Sequence, residues 1–283
     1  MLNLRWMRKH LARWVPERVK APYRARLFGY GRPSATAAPA VVRVEGGTVR
    51  VAFEGIELRA PAAAADDLRY HFVENAASVE EIRGVIRQAR ATGGLLADVG
   101  AMRGLFSAAW ILARDGNRAV AYEPSPAVLA DLEAVRALNG LGDRLQVHPC
   151  ALGRAGATVT AGTDAAGLID FAPAPGAETF QAQVTTLDAE AALRGYVPDA
   201  VKVDVEGHEL DVLLGAQELL GKRRPLLFLE LHLDLLDRRG VDPGAVVELL
   251  SGLGYRFFTS AGEPLAARAV TGSPSAVLRF VAR

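Results

Sequence analysis

From residue 95 onward the sequence alternates short apolar runs with helix-length stretches, and this alternation restricts the fold more than any other feature. The runs lie at 95–97, 118–122, 145–147, 201–205 and 226–231, with helical candidates at 105–114, 126–139, 208–221 and 243–253 between or after them. Short apolar strands separated by helices predict an α/β fold with a mostly parallel sheet and helices on both faces. The helix after Tyr122 is well marked. Ser125 can cap it, Pro126 suits its first turn, and Leu129, Leu132, Val135 and Leu138 line one stripe. Residues 255–258 and 276–280 read as a closing strand pair, and 160–180, rich in Ala, Gly and Pro, as a loop.

The residues ahead of this alternation have a different texture. Residues 41–60 alternate well enough to be strands, with a hairpin over 41–53 around Gly46-Gly47. Residues 78–91 predict a helix capped by Ser78, with Glu81 closing a capping box and Ile82, Val85, Ile86 and Ala89 at helical spacing. Residues 1–40 are basic, with Trp6, Trp14, Tyr23, Phe28 and Tyr30 interleaved, and end in an Ala/Pro linker. Two readings of this arm stand: a helix packed on the main domain, or a peripheral membrane or protein contact through residues 1–30. Three segments follow: 1–40 as extension and linker, 41–92 as hairpin and helix, and 93–283 as the main domain.

The formal net charge of +1 supplies no global field for a nucleic acid, so no such partner is expected. Cys150, the one cysteine, offers neither an internal disulfide nor a zinc framework. No secretory signal and no apolar run of membrane-spanning length is visible. A cytoplasmic location is expected, with peripheral membrane attachment as the alternative.

The sharpest local signal is Asp98-Val99-Gly100-Ala101-Met102-Arg103-Gly104, directly after the first core run. Strand, glycine turn and helix together make a cofactor site at the carboxyl edge of a sheet. A dinucleotide fingerprint needs a glycine where Met102 stands. A pyrophosphate here would also face Asp98, at a cost of about 4 kcal/mol for like charges 4 Å apart at an effective dielectric of 20. S-adenosylmethionine has no phosphate and carries an ammonium and a sulfonium, which suit an acid beside a close-approach glycine. The plainer reading of Asp98 is a cap for the next helix. Glu123, ending the second run, can accept hydrogen bonds from a ribose. The small apolar turn holding Cys150 and Ala151 would border an adenine, with Cys150 as a wall residue rather than a nucleophile.

The second constellation is Lys202-Val203-Asp204-Val205-Glu206-Gly207-His208-Glu209. In a strand, Lys202, Asp204 and Glu206 share one face. Three ionisable groups on a buried face call for a reason. Asp204, Glu206 and His208 are expected at the carboxyl edge, where a hydroxyl acceptor must be aligned and relieved of a proton. Glu206 and His208 are the candidate bases. The plainer readings pair Lys202 with Asp204 or Glu206 and make His208 a helix cap. Glu230 and His232 end the next run, and with Asp204, Glu206 and His208 they offer ligands for a divalent metal as an alternative.

In these stretches, together with 121–124, 151–153 and Val184-Thr185-Thr186-Leu187-Asp188, the chain resembles the FkbM-type methyltransferases from about residue 96 to 258. The resemblance implies a Rossmann-like class I methyltransferase fold, here with a mostly parallel seven-stranded sheet preceded by an N-terminal helical and β-hairpin extension. It implies S-adenosylmethionine as cofactor and O-methylation of a small-molecule or glycan acceptor such as a sugar or natural product. Asp98, Gly100 and Gly104 would then hold the amino acid end, Glu123 the ribose, and Cys150 and Ala151 the adenine. Asp204 stands among both the cofactor contacts and the catalytic candidates. The family turn usually carries Asn where this chain has Met102. A nucleic-acid methyltransferase and a degenerate cofactor-binding scaffold localised by its basic N-terminus are the alternatives.

Overall fold

The structure, a computed structural model, describes residues 40–163, 169–171, 173, 178–271, 273 and 275–283. Of the basic arm and linker expected over residues 1–40, residues 1–39, and with them the contact expected of residues 1–30, lie outside the described residues.

Two tight turns fold the first described residues into an antiparallel sheet of β1 (Val41–Glu45), β2 (Thr48–Phe53) and β3 (Ile56–Pro61). Gly46 and Gly47 both have positive φ, as a two-residue hairpin turn matched to strand twist requires. The second turn, Glu54-Gly55, repeats that conformation, so β3 extends the expected hairpin. A short helix α1 (Ala65–Arg69) and a π turn (Tyr70–Glu74) lead into α2 (Ala76–Ala91).

The start of α2 differs from the expectation. Asn75, not Ser78, caps it, its side chain accepting from the Ala77 and Ser78 amides at 3.1 Å each. Ser78 lies inside the first turn with its hydroxyl 2.6 Å from His71 Nδ1. Glu81 closes no capping box. It is buried and turned toward the main sheet, where it meets Lys202 and Arg279.

The main domain then runs β4 (Leu95–Val99), α3 (Leu105–Ala113), β5 (Arg118–Tyr122), α4 (Pro126–Leu138), β6 (Leu145–His148), β7 (Ala151–Leu152), β8 (Ala157–Thr163), β9 (Ile169–Asp170) and β10 (Thr179–Thr185). It continues with α5 (Leu187–Arg194), β11 (Ala200–Val203), α6 (Glu209–Leu214), α7 (Gln217–Arg223), β12 (Leu226–His232), α8 (Leu233–Arg238) and α9 (Pro243–Gly252). The last elements are β13 (Phe257–Phe258), β14 (Pro264–Leu265), α10 (Ala267–Thr271) and β15 (Val277–Ala282).

The main sheet has the order β14-β13-β15-β12-β11-β4-β5-β6. The five strands from β12 to β6 are mutually parallel, and β15 enters antiparallel between β12 and β13. The seven expected strands are present, and the two-residue β14 adds an eighth among the described residues. Covered on both faces, the parallel strands read as continuous apolar runs, and their alternation sorts them into two layers. Leu96, Ala121, Ala200 and Phe228 join a layer with β2, β3, α2 and α3. Ala97, Val120, Val201 and Leu229 join the other, with α5, α6, α7 and α9.

Two further expectations are corrected. The segment 160–180 is not a loop throughout. β8 and β10 pair antiparallel from Ala157↔Val184 to Gly162↔Thr179 in a second sheet of order β7-β10-β8-β9. The single helix expected over 208–221 is broken into α6 and α7 at Gly215-Ala216. A Cβ on Gly215 would collide with the Gly153 carbonyl, and the Asp188 carboxylate accepts from the Glu218 and Leu219 amides at 2.9 Å, starting α7 anew. No helix among the described residues is long and apolar enough to cross a membrane.

Candidate active site

On three adjacent parallel strands the face that is apolar at its centre becomes ionisable toward the carboxyl end. Leu96 is followed two residues on by Asp98, Ala200 by Lys202 and then Asp204, and Phe228 by Glu230 and then His232. Strand register brings these groups level. Lys202 stands opposite Asp98 on one side and Phe228 on the other, and Glu230 opposite Arg279 of β15. This is the sheet edge at which ligands bind in open α/β folds.

The turn after β4 is shaped by left-handed backbone. Gly100, Met102 and Gly104 have φ of 78°, 49° and 72°. A Cβ on Gly100 would collide with the Asp204 carbonyl oxygen, so the turns after β4 and β11 touch through their main chains. The Gly100 and Ala101 amides donate to the Tyr122 carbonyl at 3.0 and 3.1 Å. Glu123 secures the turn from the neighbouring strand: one carboxylate oxygen accepts from the Met102 amide at 2.8 Å, the other from the Ser125 amide at 2.7 Å. Ser125 occupies the cap position of α4, but its hydroxyl makes no capping bond and is buried without a partner.

Asp98 does cap the following helix. Its Oδ2 accepts from the Ser107 amide at 3.1 Å and the Ser107 hydroxyl at 2.7 Å. Burial pushes the Asp98 carboxyl up to about 6, against the hydrogen bonds from Ser107 and the charge of Lys202. Burial likewise pushes Glu123 up to about 7, against its two backbone hydrogen bonds. Two buried carboxyls under strain to stay charged fit a ligand with an ammonium and hydroxyl donors. They oppose a pyrophosphate. Ala151 is buried at the start of β7, and Cys150 is half-buried beside it. Burial holds the Cys150 thiol up to about 11, so it stays protonated, as a wall residue would.

Behind the turn lies a buried ionic cluster. The Lys202 ammonium is 3.3 Å from Glu81, 3.3 Å from Asp204 and 3.6 Å from Glu230, over the Phe106 ring at 4.8 Å. Lys202 therefore pairs with Asp204 rather than Glu206. Arg279 bridges Glu81 at 3.0 Å and forms a two-pronged pair with Glu230. Burial opposes charge on Asp204, but Lys202, His232 and Arg279 hold its carboxyl below the usual range. Burial and the Asp204 charge raise Glu230.

His232 is the histidine that meets the acids. Its Nδ1 is 2.8 Å from Glu209 Oε1, and its Nε2 lies 3.3 Å from Glu206 and 3.9 Å from Asp204. Burial alone would lower its pKa. The hydrogen bond to Glu209 and the charges of Asp204 and Glu206 lift it to about 9 instead. The structure gathers Asp204 and Glu206 as expected but sets His208 apart from them. His208 sits at the cap position of α6 without a capping bond, its Nδ1 3.5 Å from Asp211 and its ring against Phe171 at 4.8 Å between centroids. Glu206 has a φ of 51°, and Arg239 clamps the turn by donating to the Gly207 carbonyl and to Asp211.

The metal alternative meets an obstacle. Asp204, Glu230 and His232 each offer a ligand atom within 4.8 Å of one another. The Lys202 ammonium and the Arg279 guanidinium already pair with Asp204 and Glu230, and a divalent ion would stand beside both cations. A metal at these three residues would have to compete with both cations.

Sequence reasoning missed Glu81, Arg279 and His71. Burial, with Arg279 and Lys202 nearby, pushes His71 down to about 4, so it is a neutral imidazole facing this cluster. Only the isolation of Arg279 in an apolar stretch marked it, and Glu81, beside Glu80, looked like a solvated helix position.

The methyltransferase FkbM domain matches residues 98–257. Among solved structures, the chain is similar to a methyltransferase FkbM from Methylobacillus flagellatus KT at 22% identity and a TM-score of 0.43, over 66% of this chain and 42% of that one. It is also similar to precorrin-6y C5,15-methyltransferase from Geobacter metallireducens GS-15, at 13% identity and a TM-score of 0.41, over 71% and 86% of the two chains. A SAM-dependent methyltransferase from Agrobacterium tumefaciens is similar at 10% identity and a TM-score of 0.44, over 85% and 70%. The likeness to the first of these spans about two fifths of that protein's length. No curated protein matches the chain.

Proposed function

Because the chain belongs to the FkbM family of S-adenosylmethionine-dependent methyltransferases, we propose that it methylates a hydroxyl oxygen on a sugar, glycan or other natural product. Bound S-adenosylmethionine supplies an electrophilic methyl group on a good leaving group. The chain's own residues then have three tasks: to hold the cofactor, to align the acceptor, and to take up a proton.

The observation that carries the reading is the contact of Gly100 with the Asp204 carbonyl. It joins the turn suited to the cofactor to the turn that bears the acids. In this reading Asp98, Gly100 and Gly104 receive the amino acid end, and Glu123 the ribose. Cys150 and Ala151 border the adenine. The unpartnered Ser125 hydroxyl and His148 Nε2 are polar atoms that a ribose or adenine could satisfy there. An acceptor oxygen would lie over Asp204 and Glu206, which are partly exposed at the rim of the cluster. Proton-accepting groups beside the methyl favour an oxygen acceptor, because a hydroxyl must lose its proton as it is methylated.

The test is calorimetric titration with S-adenosylmethionine of the unmodified protein and of Asp98→Asn and Glu123→Ala. Saturable binding weakened at least about tenfold in both variants is expected, since each removes a charge-assisted contact of about 1.5–3 kcal/mol. Equal affinity in all three would sink the site assignment. A screen of hydroxylated sugars and natural products with radiolabelled methyl donor, with and without magnesium, then tests the acceptor. Absence of cofactor binding would leave a degenerate scaffold.

A further inference from the structure

Among the buried ionisable groups, one line of contacts has the order expected of a proton path. Glu206 Oε2 faces His232 Nε2 at 3.3 Å, and His232 Nδ1 faces Glu209 Oε1 at 2.8 Å. Exposure falls along the line: the Glu206 side chain is 32% exposed, His232 8% and Glu209 0%. Glu209 is fixed from behind, because its Oε1 also accepts from the Gly207 amide at 2.9 Å. A buried carboxylate on Nδ1 sets the imidazole tautomer and orientation and leaves Nε2 as the working nitrogen.

Resting on the methyltransferase reading above, we infer that Glu206, His232 and Glu209 form the proton-accepting relay for the acceptor hydroxyl, with Glu209 as its positioning residue. The hydroxyl O–H bond breaks as its oxygen bonds the methyl carbon. The carbon–sulfur electron pair stays on sulfur, and the proton passes to His232 Nε2, directly or across Glu206. His208 takes no part. Its ring packs on Phe171, and the group beside its Nδ1 is Asp211 of its own helix, half-buried and already paired with Arg239.

The groups facing the imidazole explain why it needs the cofactor to become a base. Glu209 comes from α6, Asp204 and Glu206 from the turn after β11, and Glu230 from β12 itself. Lys202 and Arg279 stand behind Asp204 and Glu230, and Asp234 of α8 acts on Glu206. With acids dominating, the free protein holds a proton on His232 at neutral pH. A sulfonium charge placed over the Gly100–Asp204 contact disfavours that imidazolium and brings its midpoint toward neutrality, so that a neutral imidazole with Nε2 free to accept a proton becomes populated.

The experiment is a pH titration of the histidine side chains by NMR on ¹⁵N-histidine-labelled protein, with His232→Gln to assign the signal. Three states are compared: free, saturated with S-adenosylhomocysteine, and saturated with S-adenosylmethionine. These two ligands differ by one methyl and one positive charge. The His232 midpoint is expected to stay above neutrality in the first two states and to fall by about one to two units in the third. His208→Gln is expected to leave that difference unchanged, and Glu209→Gln to lower the midpoint in the free protein. Equal His232 midpoints with both ligands bound would overturn the relay while leaving the cofactor reading intact, and a purely structural imidazole would behave in that way. Failure of both ligands to bind would overturn the cofactor reading itself, and the relay with it.

Discussion

The Lys202 ammonium lies 3.3 Å from Glu81 Oε1, and both side chains are almost wholly buried. The pair ties α2, which carries none of the family's recognisable motif, to the central strand that does. Glu81 also holds Arg279, so one carboxylate steadies both cations of the cluster. Removing it leaves two buried cations with Asp204 and Glu230 alone. Glu81→Ala is expected to cost about 3 kcal/mol, the low end for breaking a buried pair because partners remain. Urea unfolding reads this as a lower midpoint at unchanged slope. Glu57→Gln, at an exposed pair with Arg50 and Arg59, should leave the midpoint in place. Equal effects of the two substitutions would show that the buried cluster does not stabilise the fold.

The parallel sheet was legible because each buried strand is a continuous apolar run, and because Asp98, Glu123, Asp204 and Glu230 stand where those runs end. The cluster's composition was harder to see. Alternation in β12 put Glu230 and His232 on the correct face, but nothing local distinguishes His232 from His208 as the partner of Glu206. That choice depends on Gly207 and the left-handed Glu206, which redirect the chain between them. Thr186 and Asp188, part of the resemblance, turn out to serve the fold: Thr186 caps α5, and Asp188 caps α7. Asn75 takes the cap of α2 from Ser78 by lying three residues earlier in extended backbone, where its side-chain oxygen accepts from two first-turn amides. The pairing of β8 with β10 was hidden by composition, since Ala, Gly and Pro in the connection masked two short strands beside it.

Met102 occupies a left-handed backbone position with φ of 49°. A methionine gains nothing there, whereas Asn tolerates this region through its short polar side chain. Met102→Asn is therefore expected to raise stability by about 0.5–1 kcal/mol. The Met102 amide bond to Glu123 is a main-chain contact and survives the change. Thermal unfolding should show a higher midpoint, and calorimetry an S-adenosylmethionine affinity no weaker than before. A lower midpoint would mean that packing of the methionine side chain outweighs its backbone strain.

Gly100→Ala tests the contact between the two turns. Gly116 provides the control, since it has a similar φ of 83° but open space around its Cβ position. Both substitutions carry left-handed strain of about 1–2 kcal/mol. Only Gly100→Ala also forces apart the main chains after β4 and β11. It should lose more stability than Gly116→Ala by about 2 kcal/mol, as severe overpacking does. S-adenosylmethionine affinity should fall at least about tenfold in Gly100→Ala alone, the equivalent of about 1.4 kcal/mol. Matching losses in both proteins would mean that the turns separate without consequence for the site.

Above about pH 4 the pH dependence of stability is dominated by groups whose folded pKa lies above the ordinary value, Glu230 among them. Asp98 moves from 3.8 to about 6, Glu123 from 4.5 to about 7, and His232 from 6.5 to about 9. Each binds its proton more tightly when folded. Its contribution is full below the ordinary value and is lost as pH rises through the folded one. Asp204 and His71 have the opposite sign: the contribution of Asp204 is lost below the ordinary carboxylate range, and that of His71 as pH falls from about 6.5 to about 4. The ligand-free protein should thus be most stable near about pH 4, with Tm falling steadily toward about pH 9. Asp98→Asn, which retains an acceptor for Ser107, should flatten the part of the profile between about pH 4 and 6. Glu123→Gln should flatten the part between about pH 4.5 and 7. S-adenosylmethionine should flatten the same region, because it favours the charged form of both acids. A Tm that climbs from pH 5 to 9 would place these carboxyls in water rather than in the buried turn.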